Sequence, residues 1–328
     1  MHPVVIAATG GVGNQLFQFA AALAVADETG APARTCCRMY DRPWHRRAFV
    51  AARAWIRSIG ADADERFRWD AMQRRPDLLR IQDEAPETCR EEEARLGLTR
   101  NALKHAFRGR AAPAGMRVVR TSDHVESLVR EATRSPGVPG LPFPVLIAGH
   151  LQGDRFVAPR IERIRSVVRL PRSSRYLDEW LALASRDDSV AIHVRRGDYL
   201  KPAYRHSFPI IPARWFADAA ARLRALHGDL RCLVITDDPG WARDNLTLPG
   251  EACITSTGRS PAAIEDLALI AACRHQIVSN STFGWWGARL ANRAGSTVAP
   301  TLWEFGKQLP TDFLPPGWIT LENPPTRA

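Results

Sequence analysis

The stretch Val190-Ala191-Ile192-His193-Val194-Arg195-Arg196-Gly197-Asp198-Tyr199 predicts a buried strand that ends in a charged turn. Comparable short apolar runs are Val145–Ala148, Cys232–Thr236, Gln276–Ser279 and Thr297–Ala299. The segments between most of these runs are long enough to hold a helix. Strands that alternate with helices predict parallel βαβ units, so the sequence indicates an α/β fold.

A second strand–turn–helix pattern opens the chain. The apolar run Val4–Ala8 predicts a strand, and a helix is predicted from about Gln15 to Glu28. Residues 135–144 carry four prolines and two glycines, which predicts a loop or hinge near a domain boundary. Because 328 residues exceed one ordinary core, we expect two domains, an N-terminal domain over 1–150 and a C-terminal domain over 151–328.

The charge balance narrows the class of partner. The formal net charge is +10, from 45 basic and 35 acidic residues. A positive surface favours a nucleotide-sugar, an anionic glycan or the inner face of a membrane. We expect no nucleic acid partner, because the arginines are dispersed and neither zinc-finger spacing nor an RNA-recognition aromatic signature occurs.

Location is predicted from the absence of targeting signals. The N-terminus lacks the pattern of an export signal, and no apolar run reaches the roughly 20 residues of a membrane span. The six cysteines show no metal-binding spacing and are interpreted as reduced thiols. The sequence therefore predicts a cytoplasmic protein.

The turn after the strand Val190–Val194 carries the first candidate site residues. Alternation along a strand places His193 and Arg195 on one face and Arg196 on the other. The carboxyl end of a strand is where open α/β sheets bind ligands, and a guanidinium suits a departing diphosphate. Arg196 would hold Asp198 or position the turn. The alternative is an arginine cluster that only forms ion pairs.

The glycine turn of the N-terminal half is a second candidate. Gly10, Gly11 and Gly13 let backbone amides approach a ligand, and the helix that follows with Asn14 favours an anion such as a pyrophosphate. Leu16 stands where a dinucleotide fingerprint needs glycine or alanine, and no Walker lysine is present. A purely structural tight turn remains the alternative.

Two segments of the C-terminal half complete the set. Asp266 lies early in a predicted helix, where it could complement the helix dipole or accept hydrogen bonds from guanine N1 and the exocyclic amino group. Ser281 and Thr282 follow a strand and precede a helix, which suits a phosphate. Trp285 and Trp286 could pack a sugar or base face or fill the domain core, and because adjacent helical positions point in different directions at least one of them is structural.

An acidic pair, Asp237-Asp238, resembles a metal site at first sight. Because Asp238 precedes Pro239, it is interpreted instead as a helix N-cap. We predict no bound metal and no other cofactor.

Taken in order, these segments resemble glycosyltransferase family 11, the bacterial and animal α-1,2-fucosyltransferases. The segments that carry the resemblance are Gly10–Ala24, His193–Leu200, Ile235–Leu246, Glu265–Ala291 and Val298–Phe305. The segment His150–Val157 resembles a divergent form of another family segment, in which a glutamate often stands near Asp154.

The resemblance implies a GT-B-like architecture, in which two Rossmann-like domains face a cleft and the C-terminal domain binds the donor. It implies GDP-fucose as donor, inversion at the anomeric carbon and no metal requirement. By residue, it implies that His193 and Asp266 contact guanosine, and that Arg195 and the Ser281–Thr282 loop contact the β-phosphate.

The resulting hypothesis is transfer of L-fucose from GDP-fucose to an oligosaccharide acceptor, through O2 of a galactose. We expect Arg195, Ser281, Thr282 and the Gly11–Gly13 amides to bind the diphosphate. Asp198 and Asp154 are the candidate general bases. A lipid-linked acceptor and a peripheral contact with the inner membrane remain open. Another linkage or GDP-sugar, a Rossmann oxidoreductase and a non-catalytic basic glycan- or nucleic-acid-binding protein are the alternatives.

Overall fold

The computed structural model describes residues 2–7, 9–36, 93–133, 141–168, 170, 172–197, 199–250, 252–254 and 263–326. These residues form two compact units, which divide between Arg169 and Leu170. The boundary expected from the sequence, after residue 150, stays a prediction beside this division by contacts. Residues 151–168 belong to the first unit because they bind it: Arg160 Nε donates to Asp27 Oδ2 at 2.8 Å.

The first unit is built on a parallel sheet. Its elements are strand β1 (Val4–Ala7), helix α1 (Val12–Thr29), β2 (Ala33–Cys36), α2 (Arg100–Phe107), β3 (Arg117–Val119), α3 (Ser122–Thr133), β4 (Val145–Ile147) and α4 (Ile161–Val167). The strand order is β2-β1-β4-β3, with every pair parallel. The predicted strand and helix at the start of the chain are confirmed, and the predicted strand near Val145 joins this sheet.

Helix α1 is the central helix of the first unit. Its alanine, leucine and phenylalanine side chains are buried on almost every face, which places it inside the unit rather than on its surface. The helix ends at Gly30, whose φ of 67° is left-handed and whose N–H donates to Ala26 O at 2.8 Å. Glycine adopts this conformation without strain, so the predicted helix stop is confirmed.

The second unit contains a larger parallel sheet. Its elements are α5 (Arg175–Ala184), β5 (Ser189–Val194), α6 (Ala213–His227), β6 (Arg231–Thr236), α7 (Pro239–Asn245), β7 (Ala252–Ile254), α8 (Ala263–Ala272), β8 (His275–Val278), α9 (Thr282–Leu290), β9 (Thr297–Pro300) and β10 (Ile319–Leu321). The strand order is β10-β9-β8-β5-β6-β7. All four strands predicted for this part of the chain are present.

Helices cover both faces of this sheet. Ile192 and Val194 of β5 share a core with Phe216 of α6, whereas Ala191 packs on the opposite face with Leu269 of α8. The α/β class and the two parallel sheets are therefore confirmed. Among the described residues, none of the helices combines the length and apolarity that a membrane crossing requires.

The order of the strands determines where a ligand can bind. From β5 the chain moves to β6 and then β7 on one side, and later returns to β8 on the other side of β5. The carboxyl ends of β5 and β8 therefore lie at a topological switch point of the sheet. Such switch points are the usual binding sites of open α/β sheets.

Candidate functional site

The candidate site lies at the carboxyl edge of the second sheet. Three neighbouring strands, β8, β5 and β6, end there in polar residues. Those residues are Arg195 and Arg196 after β5, Asp237 and Asp238 after β6, and Ser279, Ser281 and Thr282 after β8. Parallel pairing brings these segments, which are far apart in the sequence, to the same edge.

The Arg195 guanidinium is oriented by a carboxylate. Its Nη1 lies 3.0 Å from Asp237 Oδ2. The same carboxylate accepts a hydrogen bond from the Arg196 N–H through Oδ1 at 2.8 Å. A Cβ on Gly197 would lie only 3.0 Å from Asp237 Oδ2, so a glycine leaves room for this carboxylate. The Arg195 side chain is 32% exposed, so an anion at this edge of the sheet can reach it.

Arg196 has a different environment. Its guanidinium carbon lies 3.9 Å from the centre of the Trp241 ring, and its Nε lies 3.4 Å from Asp238 Oδ2. Asp238 also accepts a hydrogen bond from the Trp241 N–H at 3.2 Å, which confirms its role as the N-cap of α7. Arg196 therefore ties the turn to α7. Asp198, the other partner considered for it, lies outside the described residues.

His193 is buried beneath this edge. Its Nδ1 lies 3.2 Å from Ser279 Oγ, and its ring packs 5.4 Å from the Phe283 ring. Burial, with the charge of Arg195 as a smaller cause, lowers the pKa of His193 to about 3. The imidazole is therefore neutral near pH 7. A Cβ on Gly284 would lie 2.5 Å from His193 Nδ1, so α9 can approach the ring only with glycine at this position.

The loop between β8 and α9 is held by hydrogen bonds on both sides. The Asn280 side chain donates to the carbonyls of Pro209 and Trp303, both at 3.0 Å. The Tyr199 hydroxyl donates to the Asn280 carbonyl at 2.7 Å. Asn280 and Tyr199 thus fix the loop that carries Ser281. No local motif marks this role of Asn280, because its partners are distant in the sequence.

Ser281 is the N-cap of α9. Its Oγ accepts a hydrogen bond from the Phe283 N–H at 3.3 Å, and Thr282 is the first helical residue. The hydroxyl proton of Ser281 is not used by this cap, so it can still donate to an anion. The positive end of the helix dipole lies at the same point.

The tryptophan pair is structural. Trp285 and Trp286 are both fully buried, and the Trp285 Nε1–H donates to the Phe313 carbonyl at 2.8 Å. Their rings meet edge to face, 5.1 Å apart. Neither ring is accessible to a sugar or a base, so of the two predicted roles both tryptophans have the second, filling the core.

Asp266 lies in the first turns of α8 and is half-buried. Its Oδ1 accepts a hydrogen bond from the Tyr176 hydroxyl of α5 at 2.8 Å. Tyr176 was not predicted as a site residue, because no motif surrounds it. The sequence also predicts Ser260 as the N-cap and Pro261 as the first residue of this helix, and both lie outside the described residues.

Comparison with known proteins assigns this region to a family. Residues 168–322 match the model of Glycosyl transferase family 11. This region belongs to glycosyltransferase family 11. The match contains the three strand ends described above, together with Tyr176 and Asp266.

The relatives of this family 11 region are similar over part of their length. The Alpha-1,2-colitosyltransferase of Escherichia coli is 26% identical over 181 residues, which are 53% of this chain and 62% of that protein. The Galactoside alpha-(1,2)-fucosyltransferase 1 of Bos taurus is 34% identical over 111 residues, 33% of this chain and 30% of that protein. This chain thus spans less than two thirds of either relative.

Among solved structures, FUT1 of Arabidopsis thaliana, a mutant in complex with GDP, is weakly similar. The TM-score is 0.44 at 12% identity, covering 89% of this chain and 69% of that one.

The predicted glycine turn lies in the first unit, outside the family 11 match. Gly10 has a left-handed φ of 75°, and Gly11 is an extended N-cap without a side-chain hydrogen bond. Gly13 and Asn14 lie in the first turn of α1, and Asn14 Oδ1 accepts from Gln152 Nε2 at 2.9 Å. The turn thus presents backbone N–H groups of a helix start, as predicted. Its role in donor binding stays a prediction.

Asp154 also belongs to the first unit. Its side chain is buried, with 4% of the residue exposed, and its backbone carbonyl accepts from the N–H groups of Val157 and Ala158 at 2.9 and 2.7 Å. A general base must reach the acceptor hydroxyl. Because Asp154 is buried, its side chain would have to become accessible before it could act as the general base. The general-base role of Asp154 stays a prediction.

Within the described ranges, no group of three or more histidine, cysteine, aspartate and glutamate side chains is placed to hold a metal ion. Arg195, Arg196 and the start of α9 are positive groups at the edge of the second sheet. Arg195 and the start of α9 can compensate the charge of a diphosphate.

Proposed function

We propose that this protein is an inverting, metal-independent glycosyltransferase that moves L-fucose from GDP-fucose to O2 of a galactose in an acceptor glycan. The observation that carries the proposal is the placement of Arg195. Its guanidinium is oriented by Asp237 at the switch point of the sheet, beside the strand that leads to Ser281 and α9. Membership of residues 168–322 in family 11 supports the reaction class.

The chemistry requires compensation of negative charge. As the bond between the anomeric carbon and the β-phosphate oxygen breaks, GDP takes the electron pair and its charge grows. Arg195, the Ser281 hydroxyl and the N–H groups at the start of α9 would stabilise this charge, with the Gly11–Gly13 amides as a further candidate. Fixed donors of this kind need no reorganisation during the reaction.

The acceptor hydroxyl would attack the anomeric carbon from the face opposite to GDP. The new bond joins that oxygen to the anomeric carbon, and the hydroxyl proton passes to a general base. Asp198 and Asp154 are our candidates for this base. Attack from the opposite face gives inversion.

The guanine base would contact His193 and Asp266. A neutral His193 can form one hydrogen bond with the nucleoside, as donor or as acceptor. The Asp266 carboxylate can accept hydrogen bonds from N1–H and the exocyclic amino group of guanine. Tyr176 holds one oxygen of Asp266 and so fixes the carboxylate plane. This arrangement favours guanine over bases that lack the amino group.

The choice of sugar has one specific alternative. A relative is named an α-1,2-colitosyltransferase, and colitose is L-fucose without its 3-hydroxyl. We therefore propose that GDP-fucose and GDP-colitose be compared directly. A donor preference for GDP-colitose would preserve the reaction class and replace the sugar.

The decisive experiment measures transfer from GDP-fucose to a panel of galactosides, with the linkage read by NMR. We expect an α-1,2 linkage, unchanged activity in the presence of EDTA, and loss of turnover in Arg195→Ala. Arg214→Ala is the matched control, since this arginine is on α6 with a side chain that is 90% exposed. Near-normal transfer by Arg195→Ala would overturn the proposal.

The alternatives of a non-catalytic binding protein and of an oxidoreductase are tested with the same purified protein. A protein that binds glycans without catalysis would neither hydrolyse nor transfer from GDP-fucose. An oxidoreductase would alter NAD(P)H fluorescence on titration. We further propose a cytoplasmic enzyme whose acceptor can be lipid-linked, with peripheral contact at the inner membrane.

A further inference from the structure

Seven consecutive residues that follow the site strand are exposed, from Leu200 to His206, and we name this segment the basic turn. Leu200 is 41% exposed and Tyr204 is 46% exposed. Within the described ranges the only other exposed large hydrophobic residue is Leu226, on α6. Single exposed apolar side chains are ordinary, but two in one short segment indicate a contact surface.

The basic turn also concentrates positive charge. Lys201 and Arg205 lie within it, and the sequence contains no acidic residue between Tyr199 and Ala217. The Arg205 Nε–H donates to His206 Nε2 at 3.1 Å, so the Arg205 charge is not neutralised by that neighbour. Apolar and cationic side chains therefore alternate over one exposed surface.

The turn is held in place by its own contacts. The N–H groups of Tyr204 and Arg205 both donate to the Lys201 carbonyl, at 2.9 and 3.0 Å. The Phe208 ring stacks on Tyr199, with centroids 4.6 Å apart and planes 8° apart, and it also contacts Tyr204. The exposed side chains therefore project from an ordered segment, and little ordering would be needed before they bind a partner.

We infer that the basic turn binds the surface of an anionic lipid bilayer. Leu200 and the Tyr204 ring would enter the boundary between headgroups and acyl chains, while Lys201 and Arg205 would reach the lipid phosphates. A nucleic acid offers phosphates but no apolar layer for Leu200. A neutral glycan offers nothing to the two charges. The basic turn is thus the surface that makes the membrane contact proposed above, and this contact does not depend on which sugar nucleotide is the donor.

The contact would place the transferase site near the bilayer. Three residues separate Arg196 from the basic turn, and the last of them, Tyr199, donates a hydrogen bond to the loop that carries Ser281. An acceptor carried on a lipid would then reach the site without leaving the membrane surface. A soluble galactoside would not need the turn.

The test uses the full chain and sedimentation with vesicles of phosphatidylcholine alone or with one third phosphatidylglycerol. We expect binding to the anionic vesicles only. The double variant Leu200→Ala/Tyr204→Ala should bind at least about tenfold more weakly. Leu226→Ala is the control, because it removes an equally exposed leucine from another surface.

The charged residues are tested separately. Each basic residue close to an anionic surface contributes about 1 kcal/mol, or about fivefold in binding. Lys201→Ala/Arg205→Ala should therefore lower binding about 25-fold, and added salt should reduce binding by the wild type. Arg214→Ala should bind as the wild type does. Melting temperature and GDP affinity should be unchanged in all variants, which separates the result from misfolding and from the donor site.

Hydrogen exchange on the wild type provides a second readout that needs no substitution. Vesicles should slow exchange in peptides that cover residues 200–206. Protection elsewhere, equal binding to both vesicle types, or unchanged binding by either double variant would overturn the inference. Absence of wild-type binding at low salt would also overturn it.

Discussion

The Arg195 guanidinium and the Asp237 carboxylate meet across two neighbouring strands, with Nη1 3.0 Å from Oδ2. The same carboxylate holds the main-chain N–H of Arg196 at 2.8 Å. One aspartate therefore sets both the direction of the guanidinium and the course of the turn that carries it. Asp237 is thus a positioning residue for the group that would compensate the leaving GDP.

Replacing Asp237 with asparagine tests this relationship. The amide oxygen can still accept from the Arg196 N–H, but the charge that orients Arg195 is lost. We expect kcat to fall about 10- to 100-fold, as misplaced catalytic groups commonly cause, with a smaller change in the KM for the donor.

Asp229→Asn is the control, because its side chain is 94% exposed. Wild-type kcat in Asp237→Asn would show that Arg195 needs no carboxylate to be positioned.

Two glycines of α9 give a matched pair of substitutions. Alanine usually stabilises a helix relative to glycine by about 1 kcal/mol. At Gly284, however, a Cβ would lie 2.5 Å from His193 Nδ1, and at Gly287 it would lie 2.5 Å from the Ile270 side chain. We expect both substitutions to lower the free energy of unfolding by about 1–3 kcal/mol, measured by urea denaturation.

The two variants should differ in ligand binding. Gly284→Ala displaces His193 and should weaken GDP binding in calorimetry. Gly287→Ala disturbs the core and should bind GDP nearly as the wild type does. Equal GDP affinity in the two variants would argue against a role for His193 in the site.

The buried His193 predicts how stability depends on pH. Its pKa is lowered from 6.5 to about 3 in the folded chain. Between these values the unfolded chain binds a proton that the folded chain does not, so folding is most favoured above pH 6.5. As the pH falls from 6.5 towards 3, the free energy of unfolding should decrease by up to about 1.4 kcal/mol per pH unit from this group.

Urea denaturation between pH 7.5 and 4.5 measures the effect. His193→Asn should reduce the slope of the unfolding free energy against pH, by an amount that corresponds to at most one proton. The reason is that the titrating group is removed. Identical slopes in the wild type and His193→Asn would contradict the burial argument.

Recognition of guanine can be tested with inosine diphosphate, which lacks the exocyclic amino group. If Asp266 accepts from that group, the wild type should bind GDP about 10-fold more tightly, the energy of one hydrogen bond to a charged group. The preference should shrink in Asp266→Ala.

Tyr176→Phe removes only the hydroxyl that holds Asp266. We expect GDP affinity to fall about fivefold, because one ordinary hydrogen bond is lost. Equal affinity for GDP and inosine diphosphate in the wild type would place guanine recognition elsewhere.

Most of the strands could be predicted from the sequence. Runs such as Val190–Val194 and Cys232–Thr236 are short, apolar and bounded by turn residues, and that signal is local. The strands that were missed include Ala252–Ile254 and Ile319–Leu321, which have three residues each and lie at the edges of the sheet. Such strands exist because a neighbour pairs with them, and no local pattern marks them.

Chain composition and motif order were sufficient for the α/β class, the family resemblance and the candidate positions His193, Arg195, Asp266, Ser281 and Thr282. These features depend on which residues follow which, so a single sequence contains them. The partners of those residues depend on folding. Asp237 reaches Arg195, and Tyr176 reaches Asp266, only because parallel strands and packed helices bring distant segments together. Likewise, only packing decided that Trp285 and Trp286 are buried while Leu200 and Tyr204 are exposed, since burial is a property of the surroundings rather than of the residue.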